Sequence, residues 1–281
     1  MFYYELFVVL LNNRKPMKQV VFKYSYYIIL LMLSGFAATA QKLPNVQQGG
    51  LRVPANVKID GKPAELNNRF EAYNHATDVF YTMANDDNNL YLTIQATDNQ
   101  IISKIMAGGI TFTVNPSGKK TDKNSMAITY PLFDSKDKPT IATAKALAVV
   151  QNAPVTPKQM DSLVSVSNKK VSLAKQIRVV GIKNIDTLIS VYNEDGIKAS
   201  GGIDAQMAYT YELSVSLKHL NLSVNQPSMF AYNIRLNEVE QKGIDVLKDD
   251  SGNIMSINIT KGAQRGQPAT DFWGEYTLVK K

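Results

Sequence analysis

The chain has 281 residues, with 31 Lys and Arg against 24 Asp and Glu and a formal net charge of +7. Cysteine is absent and only two histidines occur, which excludes disulfides, a cysteine nucleophile and a zinc site built from several histidines. The cations are scattered apart from short pairs such as Lys119-Lys120 and Lys169-Lys170, so the clustered basic footprint of a nucleic-acid binder is missing.

From Met17 the sequence reads "MKQVVFKYSYYIILLMLSGFAATAQK". Lys18 and Lys23 give a basic start, an apolar run follows, and Ala38-Thr39-Ala40 makes a small-x-small end. The pattern predicts a signal peptide cut between Ala40 and Gln41, with Met17 the true initiator and residues 1–16 an upstream extension. The apolar run is too short and wrongly flanked for a membrane span, and no longer one follows. The expected product is a soluble periplasmic or secreted protein with no lipobox cysteine. Beyond residue 40 the balance is 27 basic against 23 acidic residues. The pattern predicts a short leader over 41–54 and one large domain over 55–281, long enough to bury a core without disulfides.

The first strands of that domain flank an acidic stretch. "DVFYTMA" (78–84) is rich in β-formers, "NDDNN" (85–89) favours a reversal, and "LYLTIQA" (90–96) alternates. This predicts a β-hairpin with Leu90, Leu92 and Ile94 facing a core. Calcium is the competing reading, because Asp60, Glu65, Asp86, Asp87 and Asp98 offer the oxygen ligands it takes. Their spacing does not match an EF-hand loop, and turns and strand ends account for each, so the metal stays unassigned and structural calcium stays open.

Alternation continues in "GGITFTVN", with Ile110, Phe112 and Val114 inward and Thr111 and Thr113 outward. The segment around 156–175 departs from it. Thr156 stands as N-cap, Pro157 at the first helical position and Gln159 at the capping-box position, which predicts one surface helix. "IRVVGI", "TLISVY", "AYTYELSVSL", "MFAYNIRLN", "NIMSINIT" and "WGEYTLV" read as further strands. Many short alternating strands punctuated by Gly, Asn and Asp predict an all-β fold: a jelly-roll-like antiparallel β-sandwich carrying one inserted helix. Leu92, Ile94, Phe112, Tyr211, Leu213 and Val215 are its expected core.

Five stretches in order, "VKIDGKPAELNN", "DDNNLYLTIQATD", "AYTYELSVSLKHL", "AYNIRLNEVE" and "DFWGEYTL", make the chain resemble the family 9 carbohydrate-binding modules and their DOMON-like sandwich relatives. The likeness spans most of 55–281 outside the helical segment. It implies a non-catalytic sandwich that binds a poly- or oligosaccharide, often with structural calcium, and the signal end "FAATAQ" looks bacterial. Two departures stand out. Leu66 follows Glu65 where the family commonly has Trp, and Trp273 is the only tryptophan where sugar-clamping members use two.

The ligand residues expected on this basis are Trp273, Arg235, Asn233 and Asn237. An indole stacks on the apolar face of a pyranose, while amides and a guanidinium fork bond its hydroxyls. Each has a plainer reading: Trp273 as a core plug, the other three as a solvated strand face. Catalysis has weaker footing. His75 and His219 lie in no HExxH motif, no GxSxG elbow occurs, and Met83 and His75 are unremarkable as haem ligands. A carboxylate pair for glycoside hydrolysis is a property of three dimensions. The expectation is therefore a binding module, with a structural or protein-interaction sandwich as alternative and a glycoside-processing enzyme third. The sequence sets no oligomeric state.

Overall fold

Alternation along the strands builds two antiparallel sheets in a computed structural model that describes residues 42–54, 57–66, 69–121, 123–134 and 139–281. The expected signal peptide, its cleavage point and the alternative start at Met17 lie outside the described residues. So does the side chain of Glu65. Among the described residues no helix is long and apolar enough to cross a membrane.

The strands are β1 (Ala72–Asn74), β2 (Val79–Asn85), β3 (Asn89–Ala96), β4 (Ile110–Asn115), β5 (Met126–Leu132), β6 (Gln176–Val180), β7 (Leu188–Ser190), β8 (Ile197–Ile203), β9 (Tyr209–Ser216), β10 (Met229–Leu236), β11 (Lys242–Lys248), β12 (Ile254–Gln264) and β13 (Thr270–Thr277). One sheet has the order β1-β2-β3-β9-β8, the other β13-β10-β4-β5-β6-β7, and β11 pairs with β12 as a separate ribbon. The six expected core residues are all buried, at 1% exposure or less. The protein is an all-β sandwich, as the patterning predicts.

Helices are more numerous than the patterning indicates. The predicted one is α3 (Pro157–Val171), which starts on the full capping box of Thr156 and Gln159. Two more are α1 (Asn99–Gly108), which connects β3 to β4 and so passes from one sheet to the other, and α2 (Ala144–Gln151). Asp98, a calcium candidate in the sequence, is the N-cap of α1: its carboxylate accepts from the Gln100 and Ile101 N–H groups. The helix buries Ile102, Ile105 and Met106, and closes on Gly109 at φ 77°. A side chain there would collide with the Pro131 carbonyl oxygen, 2.7 Å from the Cβ position.

The acidic stretch is a hairpin turn. Asp86 N–H donates to the Asn89 carbonyl, and the Asp86 carboxylate accepts from the Asn88 and Asn89 N–H groups and the Tyr91 hydroxyl. Asp87 pairs with Arg52 at 2.8 Å, and the Asn85 side chain brackets Val279, two residues past the end of β13.

The expected leader does not stop at a domain edge. Gln47 is buried, and its side-chain amide exchanges hydrogen bonds with the backbone of Met83, where β1 has ended and no other strand among the described residues pairs with that edge of β2. Leu51 and Val53 then pair with Asn85. A strand edge left unpaired in a packed setting is costly, and this segment satisfies it.

The next stretch, from Val57 to Gly61, lies over the outward side of the five-stranded sheet. Leu51, Val53, Val57 and Ile59 form a second small core with Ala84 and Tyr91. Asp60 and Gly61 donate their N–H groups to the Glu212 carboxylate, which is only 2% exposed. Strands β3 and β9 are therefore buried on both faces along most of their length.

Candidate ligand-binding face

The six-stranded sheet keeps its outward face open. Register aligns two transverse rows there. One runs Trp273, Asn233, Thr113, Ala127, Val180, and the other Asp271, Arg235, Thr111, Thr129, Arg178. Each row spans β13, β10, β4, β5 and β6, about 19 Å at the usual strand spacing. Heights along the first row explain its shape: the indole stands at one end, Thr and Ala are short in the middle, and Val180 rises at the other. The result is a depression of about 380 Å³.

Trp273 sits outward because β13 alternates, with Phe272, Gly274 and Tyr276 inward. Gly274 is required beside it. The Tyr232 ring lies 2.3 Å from where a Cβ would stand, and the Tyr232 hydroxyl bonds that of Tyr81 across the sandwich at 2.9 Å. The Trp-Gly pair thus places one aromatic on each side of the sheet: Trp273 half-buried outside, Tyr232 fully buried inside. The core-plug reading of Trp273 does not hold.

All four sequence-predicted residues line this one depression, but they are not equivalent. Arg235 is exposed and faces Asp271 at 3.7 Å, too far for a close hydrogen bond, so its fork stays accessible. Asn233 is buried at 4% exposure and donates one amide N–H to the Phe272 carbonyl at 2.9 Å. Asn237 is held at both ends, accepting from the Thr111 hydroxyl and donating to the Gly108 carbonyl. It secures the end of α1 against the sheet, so it shapes the floor and keeps one amide N–H beyond that bond. Thr111 also shares a hydrogen bond of 2.9 Å with Thr129.

Asp271, Thr111, Thr113, Ser125, Ala127 and Val180 complete the lining and were not foreseen. The outward parity of Thr111 and Thr113 is in the sequence, but nothing in it says that β4 lies between β10 and β5.

Of the carboxylates proposed for calcium, the four with described side chains are not brought together. Asp60 pairs with Lys58 and accepts from Lys62 N–H, Asp86 and Asp87 serve the hairpin and Arg52, and Asp98 caps α1. Among the described residues no cluster of three or more His, Asp or Glu side chains is arranged to hold a metal ion. Asp86 is nonetheless electrostatically distinctive. Burial alone pushes its carboxyl up, but bonds from Asn88, Tyr91 and Asn89 together hold it below the ordinary carboxylate range. Burial, followed by the adjacent Asp86, pushes the Tyr91 phenol up to about 12.

No protein-family model matches the chain, and no curated protein sequence matches it either.

Proposed function

We propose that this is an exported, non-catalytic carbohydrate-binding module of the kind its sequence resembles, and that it takes a neutral oligo- or polysaccharide on the open face of the six-stranded sheet. The observation that carries this reading is the Trp273–Asn233 pair beside Arg235 on an accessible strand surface. A half-exposed indole next to an accessible guanidinium, paired only loosely with Asp271, offers stacking and hydrogen bonding together. The lining supports binding over hydrolysis, since Asp271 is its single carboxylate among the described residues and glycoside hydrolysis ordinarily uses two.

A glycan array probed with wild type, Trp273→Ala and Arg235→Ala tests the reading. Capture of neutral glycans by wild type, lost in Trp273→Ala, is the expected result. Equal capture by all three proteins removes this face from the account.

The structural or protein-interaction alternative has its own observation. The β11–β12 ribbon exposes Leu247, Ile254, Met255, Ile257 and Ile259, each more than half accessible. Two strands alone are marginal in water, and apolar side chains of this size normally find a cover. If the array captures nothing, a ribbon-mediated protein contact becomes the leading reading.

A further inference from the structure

The five-stranded sheet carries a second row that the groove around Trp273 does not use. Register aligns Tyr73, Phe80, Gln95, Thr210 and Gly202 across β1, β2, β3, β9 and β8. The row begins in aromatic rings and ends in a bare backbone. Phe70 packs on Phe80 with ring centroids 5.9 Å apart, Tyr73 on Phe80 at 4.7 Å, and His75 on Tyr73 at 4.9 Å. Phe70, Phe80 and Tyr73 are each only partly buried. A continuous strip of incompletely covered rings is unusual on a soluble surface, because large aromatics are mostly drawn into cores.

Beside the strip lies a cleft of about 820 Å³, within the range of small-ligand sites. Phe70 forms its aromatic wall, and Gln95, Thr97 and Thr210 contribute to its lining. The walls are fixed in advance. Gly61 rests on Gly202, whose Cβ position is 2.7 Å from the Gly61 carbonyl oxygen, and both Gly61 and Asp60 are tied to Glu212. On the other side the Asn168 side chain exchanges two 2.8 Å hydrogen bonds with the backbone of Ile203, and Asp204 accepts from the Gln206 and Ala208 N–H groups.

Charge and hydrogen-bond inventory select the occupant. Of the charged groups that line the cleft, Asp60 pairs with Lys58 and Asp204 accepts within its own loop, while Lys62 is the cation of the lining. The floor is neutral. Gln95 spends one N–H on the Thr210 hydroxyl at 3.2 Å, and its carbonyl oxygen and second N–H have no partner among the described residues. An aromatic wall over the Gln95 amide and the exposed Thr97 hydroxyl matches a neutral polyhydroxylated ring, whose C–H face stacks while its hydroxyls exchange bonds.

We propose that this cleft is a second sugar site, on the opposite sheet from Trp273, so that one chain can engage two glycan segments. It stands on its own geometry and does not require the Trp273 face to bind.

Calorimetry of the purified protein against cello-, xylo-, manno- and malto-oligosaccharides tests it with three variants. Phe70→Ala removes the wall, Ala205→Arg fills the mouth from an exposed position without touching the core, and Trp273→Ala disables the other face. At least one sugar should bind in a manner weakened by about tenfold or more in both cleft variants, the scale of one lost stacking contact, and unchanged in Trp273→Ala. If Phe70→Ala melts out of the folded state, Ala205→Arg decides alone. Binding abolished by Trp273→Ala and indifferent to both cleft variants overturns the second site and leaves the first. Binding lost only in the cleft variants is the expected result for this site, and it leaves the Trp273 face to be decided by the glycan array. No binding to any sugar of the panel overturns both.

Discussion

The outward faces of the two sheets are built on the same alternation and end in different environments. On the five-stranded sheet, Val57–Gly61 lies over β3 and β9, so that Glu212, Thr210 and Tyr91 point outward and are still buried. On the six-stranded sheet no segment among the described residues covers β10, β4 and β5 in that way, and Arg235, Asp271 and Trp273 point outward into an accessible depression whose floor residues Asn233 and Thr113 are themselves buried. Strand parity therefore assigns a side but not a solvent. Whether an outward residue acts as structure or as surface depends on chain from elsewhere in the sequence.

Substitutions can break or sharpen that contrast. The largest effect belongs to the shared interior. Leu213→Ala removes a fully buried side chain between the sheets and should cost about 2–5 kcal/mol, read by denaturant unfolding. A cost near zero would mean that the sheets do not pack as described.

Glu212→Ala comes next, although its side chain points away from that interior. Losing a buried carboxylate that holds two N–H groups should cost about 1.5–3 kcal/mol and loosen the Val57–Gly61 cover. Faster limited proteolysis near that segment, with the rest of the sandwich intact, is the expected signature. Unchanged proteolysis would show that Glu212 is not what fastens the cover.

Asp86 adds a pH dependence. Its folded carboxyl lies below the ordinary value, so it contributes stability above the unfolded pKa of about 3.9 and loses it as pH falls through the folded value. Asp86→Asn should lower stability at neutral pH by about 1–3 kcal/mol and flatten the acid limb of the stability curve. Parallel curves for wild type and variant would contradict this. Arg235→Ala, on the open face, should change stability by about 0.5 kcal/mol or less while weakening sugar binding.

Much of this architecture was legible. The core of Leu92, Ile94, Phe112, Tyr211, Leu213 and Val215 follows from period-two patterning, and α3 from its capping box. Helix α1 had signals too: Asp98 as a cap, Ile101, Ile102 and Ile105 at helical spacing, and Gly108-Gly109 at the end. They were masked because the preceding strand also ends on an aspartate and paired glycines read equally well as a turn. The Trp273 face was found from one strand's parity and a Trp-Gly dipeptide. Its partners Asp271, Thr113 and Ala127 were not, because lateral strand order is a long-range property. Nor could the sequence show that Asn237 spends its amide on α1, or that the aromatic strip of Phe70, Phe80 and Tyr73 assembles from β1, β2 and the chain before them.

The most direct measurement uses the fact that Trp273 is the only tryptophan in the chain. Selective excitation of indole emission reports on that face alone. Titrating wild type with a neutral oligosaccharide captured on the array should give a saturable emission change whose midpoint agrees with calorimetry and weakens in Arg235→Ala. A sugar whose calorimetric binding is unaffected by Phe70→Ala and Ala205→Arg, yet which leaves the emission of Trp273 unchanged throughout, would contradict the assignment of this face.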